Sequence, residues 1–153
     1  MAELKPILLV EDNPKDIELT LAALDQCQLA NTVVVTRDGA EALDYLHARG
    51  AHAGRNSGDP VVVLLDLKLP KIDGLEVLER IKSDPTLRHT PVVMLTSSRE
   101  ERDLVGSYRL GVNAFVVKPV AFSQFFEAIR DLGMFWAVLN EPPPGGASPV
   151  GPP

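Results

Sequence analysis

Glu11, Asp12, Asp66, Thr96 and Lys118 would together perform one kind of chemistry if the fold of this 153-residue chain brought them to one place. Glu11 with Asp12, Asp66, Thr96 and Lys118 come immediately after the short apolar runs Ile7–Val10, Val61–Leu65, Val92–Leu95 and Ala114–Val117. Carboxylates crowded together repel, which raises at least one pKa unless a cation offsets the charge. A hard divalent ion, Mg²⁺ or Mn²⁺, takes oxygen ligands from one or two carboxylates, a carbonyl, waters and phosphate. Lys118 would add a fixed positive charge where a tetrahedral dianion sits, and Thr96 a hydroxyl to donate to a phosphoryl oxygen. These are the parts needed for in-line phosphoryl transfer to a carboxylate. Asp66 is the best candidate for the nucleophile, because its run is the one expected at the centre of a sheet. Glu11 and Asp12 form the adjacent pair suited to holding a metal ion.

The elements that must position these residues are legible in the apolar pattern. With Thr32–Thr36 added, there are five runs rich in Val, Ile and Leu, none alternating with polar residues. Unbroken apolarity in short segments suits strands buried on both faces by helices. Between the runs lie segments with helical spacing and start signals. Asn13 can cap a helix with Pro14 at its first position, and Asp38 and Ser98 precede Glu41 and Glu101 at capping-box spacing. Gly111 stands where a helix would end. Strand and helix in alternation call for a doubly wound parallel sheet with right-handed crossovers. A strand order of 2-1-3-4-5 would gather the candidate residues at the carboxyl edge, where such sheets bind ligands, and leave Thr36 and Arg37 on the outside.

Composition narrows the rest. A formal charge of −6 opposes nucleic acid and anionic membranes. No apolar run reaches membrane-spanning length, no secretory h-region opens the chain, and the lone Cys27, read as core or near-core, suits a reducing compartment. A soluble, cytoplasmic protein is expected, with one domain over 1–140 and a disordered Pro/Gly-rich tail over 141–153. The turn-rich stretch 50–60 is expected to be a mobile loop. Asp73-Gly74 reads as a turn into the third helix in which Gly74 supplies an unusual dihedral. His47, His52 and His89 read as surface residues, and the run Glu100–Asp103 as a solvated helix face. In the last helix, Phe122, Phe125, Ile129, Leu132, Trp136 and Leu139 repeat at three and four, and Phe126, Met134, Phe135 and Val138 widen the apolar surface. That surplus predicts a homodimer, with Phe122, Phe126, Phe135, Trp136 and Leu139 as interface candidates.

The chain resembles the receivers of two-component response regulators over about Pro6 to Leu139. The likeness is carried by Leu9-Val10-Glu11-Asp12-Asn13, by the segment from Leu64 through Asp66-Leu67-Lys68-Leu69-Pro70 to Gly74, by Leu95-Thr96-Ser97, and by Val117-Lys118-Pro119. It implies a flavodoxin-like sheet, Asp66 as phosphoacceptor, and a metal ion held by Glu11, Asp12, Asp66 and the carbonyl of Lys68. It further implies Thr96 as switch hydroxyl, Lys118 as phosphate partner, Phe115 at the aromatic switch position and a cis bond before Pro119. A phosphohistidine on a sensor kinase would be the donor, and output would travel to a downstream protein through contacts around the fourth helix, fifth strand and fifth helix. Glu11-Asp12-Asn13-Pro14, the loop 50–60, the segment Asp66–Lys71 and the ending Phe135-Trp136-Ala137-Val138-Leu139-Asn140 resemble, more narrowly, the small regulators that partner bacterial phytochrome histidine kinases. Two departures stand out: Glu11 replaces the commoner Asp, and Phe115 lacks the hydroxyl of the commoner Tyr. Competing readings are a Mg²⁺-dependent phosphohydrolase with an aspartate nucleophile, which would need an acid where Lys68 stands, and an interaction module that no longer takes phosphate.

Overall fold

The computed structural model describes residues 5–26, 31–54, 59–97, 101, 112 and 114–131, with the backbone alone for 122, 129 and 131. Within them run β1 (Ile7–Val10), α1 (Pro14–Gln26), β2 (Val33–Thr36), α2 (Gly39–Leu46), β3 (Val62–Asp66), α3 (Gly74–Ser83), β4 (Val92–Thr96), β5 (Ala114–Val117) and α4 (Phe122–Asp131). All strand pairs are parallel, in the order β2-β1-β3-β4-β5. Glu101 is helical, and the rest of the helix expected between β4 and β5, like Cys27, Gly111 and the tail, lies outside the described residues.

The starts of the helices follow their polar side chains. Asn13 Oδ1 accepts from the N–H groups of Lys15 and Asp16, at 2.9 and 3.1 Å, satisfying two of the donors that a helix start leaves open. Asp38 accepts from Glu41 N–H at 2.7 Å, and the Glu41 carboxylate reaches back to Arg37 N–H. Asp73 caps α3 by accepting from Glu76 N–H. Gly74 does not have the unusual dihedral expected of it; it opens α3 without a positive φ. Its requirement is space, since a Cβ there would come within 2.2 Å of the Asp66 carbonyl oxygen and 2.7 Å of that of Leu67. Gly39 is tight in the same way, against the Ile72 carbonyl oxygen at the start of α2.

Alternation along the strands divides the core in two. Ile7, Leu9, Leu64, Val93, Leu95 and Val116 pack under α1 and α4, with Ile17, Leu24 and Phe125. Leu8, Val10, Val63, Leu65, Val92 and Met94 pack under α2 and α3, with Leu43, Val77, Leu78 and Ile81. Both faces are covered, which explains why the strands read as continuous apolar runs. Phe126 is half-buried against the α1–α4 core, so part of the surface assigned to a partner is used within the domain. Trp136, Phe135 and Leu139 lie outside the described residues. The stretch after α2 is less loose than expected: Gly50–His52 form a 3₁₀ turn, and the half-buried His52 meets Glu41 at 3.0 Å and the Tyr45 ring edge-on.

Candidate phosphoacceptor site

Register alone brings the candidates to one edge. Val10 pairs with Leu65, Asp66 with Leu95, and Thr96 with Val117, so Glu11, Asp66, Thr96 and Lys118 occupy the last positions of four adjacent strands or the first position beyond them. Backbone hydrogen bonds continue the ladder past the strand ends: Glu11 N–H donates to Thr36, Leu67 N–H to Leu95, and Lys118 N–H to Thr96 at 2.7 Å. The peptide bond from Lys118 to Pro119 is cis.

The side chains converge. Glu11, Asp12 and Asp66 each offer a carboxylate oxygen within 4.8 Å of the others, Glu11 and Asp66 buried and Asp12 exposed. The Lys118 ammonium lies 3.1 Å from Asp66 Oδ1, 3.3 Å from Glu11 Oε1 and 3.1 Å from Asp16 Oδ2. Burial, and then the neighbouring Asp66 charge, push Glu11 up to about 7. Asp66 is also raised by burial, although hydrogen bonding to Glu11 and the Lys118 charge oppose the shift. Burial thus disfavours full ionisation of the Glu11–Asp66 pair. Burial works against the Lys118 cation, yet Asp66, Asp16 and Glu11 outweigh it and hold its pKa above the ordinary lysine range.

Thr96 is fully buried, and its hydroxyl has no hydrogen-bond partner. By alternation it lies on the α2–α3 side of β4, one pleat beyond Met94, which pairs with Phe115. Phe115 is half-buried against that same core. Asp12 and Lys68 line one cleft with Leu67, Leu69, Pro70, Asp73 and Leu75, of about 470 Å³.

Two further residues belong to this edge that the sequence did not assign to it. Asp16 was not singled out at all, yet its carboxylate accepts from Lys118 Nζ at 3.1 Å. Glu101, expected on a solvated face, is instead mostly covered: it accepts from Ser97 N–H at 2.7 Å and pairs with Lys68 Nζ at 3.1 Å. The Ser97 bond first, and Lys68 after it, keep its carboxyl below the usual range. The spacing of Glu101 from Ser98 was the available signal, and it pointed to a cap.

The donor set is oxygen throughout, matching what Mg²⁺ or Mn²⁺ requires. With a carboxylate at the sheet centre, an ammonium against it and a buried hydroxyl lacking an acceptor, the arrangement can take a phosphoryl group. Residues 7–130 match the family model of the response regulator receiver domain. This chain belongs to that family. Receivers bind Mg²⁺ or Mn²⁺ at an acidic site and serve in signalling. Among solved receivers, the bacteriophytochrome response regulator AtBRR is 73% identical at a TM-score of 0.87, over 92% of this chain and 100% of that one. The phosphorylated cyanobacterial phytochrome response regulator RcpA is 46% identical, with a TM-score of 0.70 over 88% and 94% of the two chains. Response regulator Rcp1 of Synechocystis sp. is 39% identical over 86% of this chain and 88% of its own. Its Mn²⁺-bound form superposes with a TM-score of 0.69, at 38% identity over 91% and 99% of the two chains. Among the described residues of this receiver, no helix is long and apolar enough to cross a membrane.

Proposed function

We propose that this receiver accepts a phosphoryl group on Asp66 from a phosphohistidine of a sensor kinase and signals by the change in conformation that follows. The observation that carries the reading is the Lys118 ammonium 3.1 Å from Asp66 Oδ1, inside a cluster of three acids. An Asp66 oxygen attacks phosphorus as the phosphorus–nitrogen bond of the donor breaks, and the imidazole leaves with the electron pair. Lys118 offsets charge on the transferred group, and Thr96 donates to one of its oxygens. Glu11, Asp12 and Asp66, with the carbonyl of Lys68, would hold Mg²⁺ or Mn²⁺; when bound, the ion stabilises charge as the phosphoryl group moves. Because the Thr96 hydroxyl lacks a partner, the phosphoryl group favours any state in which Thr96 reaches it, and Phe115 on the same face can repack behind it.

Similarity to AtBRR and RcpA supports a phytochrome-type histidine kinase as donor. A cytoplasmic location follows from such a partner and agrees with the lone cysteine. The apolar surplus of the last helix supports a homodimer, and output would pass through protein contacts. The chain catalyses only its own phosphorylation and dephosphorylation in this reading. A dedicated general acid at the Lys68 position, which a phosphohydrolase would use, is missing, and Lys68 is instead paired with Glu101. Incubation with acetyl phosphate and Mg²⁺, followed by intact mass, should show one added phosphoryl group that is lost in Asp66→Asn and on chelation. Repeated turnover of phosphate esters would favour the hydrolase, and no label would favour an inert module.

A further inference from the structure

The Lys118 ammonium donates to Glu11 and Asp16 and forms an ion pair with Asp66, and only two of those three acids, Glu11 and Asp66, belong to the cluster suited to a metal ion. The third is Asp16, on the first turn of α1, where Pro14 and the Asn13 cap set the helix start and its own N–H is already bonded to Asn13. Its carboxylate is free to turn toward β5, and it spans 102 positions of sequence to do so. The inner two acceptors change character in use. Phosphorylation converts the Asp66 carboxylate into an acyl phosphate, and a metal ion would engage Glu11. Asp16 lies outside both events and is the acceptor whose charge persists through the cycle.

We infer that Asp16 is a positioning residue for phosphoryl transfer: by holding one proton of the Lys118 ammonium from outside the notch, it keeps that cation aimed at Asp66 before and after the phosphoryl group arrives. Lysine is a point charge on a flexible stem, and fixing its rotamers otherwise costs entropy at the moment of reaction. A role for Asp16 confined to the helix dipole would leave the lysine indifferent to it. The inference rests on Asp66 being the acceptor, and the experiment separates the two.

Full-length parent, Asp16→Ala, Asp16→Asn and Asp66→Asn would be compared for the maximum labelling rate by acetyl phosphate at saturating Mg²⁺, for Mg²⁺ affinity, and for Tm. The lysine side-chain ¹⁵N resonances would be recorded alongside. Labelling is expected to slow about tenfold in Asp16→Ala and about threefold in Asp16→Asn, which keeps an acceptor oxygen; both lie below the roughly hundredfold that a 1 Å misplacement can cost, since Asp66 and Glu11 still hold the lysine. Mg²⁺ affinity and Tm should stay near parent values while the Lys118 ammonium signal shifts or broadens. Parent-like rates in both variants, or losses that track Mg²⁺ affinity or Tm, would overturn the inference while leaving Asp66 as acceptor. A parent that takes no label would overturn both.

Discussion

At the amino edge of the sheet, Ile7 N–H donates to Thr32, Val61 N–H to Pro6 and Val63 N–H to Pro91, and the buried polar side chains there, Asn31 and Thr90, carry no charge. At the carboxyl edge the backbone is closed just as completely, but the side chains are of another kind. Both buried acids among the described residues, Glu11 and Asp66, sit at that edge beside a mostly buried lysine and a hydroxyl without a partner. One sheet thus has an end that only stabilises and an end that holds desolvated charge at a cost. The contrast marks where a ligand belongs, because charge is concentrated at the second end and the Thr96 hydroxyl there is left for something arriving from outside to satisfy.

The comparison breaks most sharply if substitutions at the two places behave alike. Leu64→Ala, in the fully buried middle of β3, should cost about 3 kcal/mol in denaturant unfolding while the folded fraction still takes phosphate. Asp66→Asn should do the reverse, abolishing label with little loss of stability. Gly74→Ala should show both effects at the carboxyl edge, since its Cβ would displace the carbonyl of Asp66; about 2 kcal/mol of destabilisation is expected, together with slowed labelling. The charged edge should also show in the pH dependence of the metal-free protein. Glu11 titrates near 7 in the fold and from about 4.5 when unfolded, so between those values the folded state binds the extra proton. Stability is therefore full below pH 4.5, falls by roughly 2 kcal/mol as pH rises to about 7, and levels off above it. Glu11→Gln should flatten that limb, and Mg²⁺ should reduce it by engaging the ionised carboxylate. The smallest effect belongs to Thr96→Val, which removes the unpartnered hydroxyl: stability should stay level or rise by about 1 kcal/mol in thermal unfolding, while the label no longer produces the conformational change.

The parallel sheet and the carboxyl-edge position of Asp66, Glu11, Thr96 and Lys118 were legible because each follows a run that suits a doubly covered strand, whereas the order 2-1-3-4-5 came from the likeness to receivers. The Asn13 and Asp38 caps were legible for a similar reason, a local hydrogen bond set by spacing of two or three residues. Asp16 and Glu101 were not, because their partners Lys118 and Lys68 are distant in sequence, and an acid near a helix start already has a local explanation. Gly74 was read for the wrong property: its neighbour in space is the carbonyl of Asp66, and no turn propensity encodes that approach. The widened apolar surface of the last helix overstated what a partner must cover, since Phe126 finds part of its burial against the α1–α4 core.

Amide ¹H–¹⁵N spectra of the parent and Asp66→Asn, recorded with Mg²⁺ before and after acetyl phosphate, address the difference between the two edges most directly. Resonances of Glu11, Leu67, Thr96 and Lys118 should move on phosphorylation of the parent while those of Ile7, Val63 and Thr90 stay in place, and the variant should not respond. Equal shifts at both edges, or the same shifts in Asp66→Asn, would contradict the account.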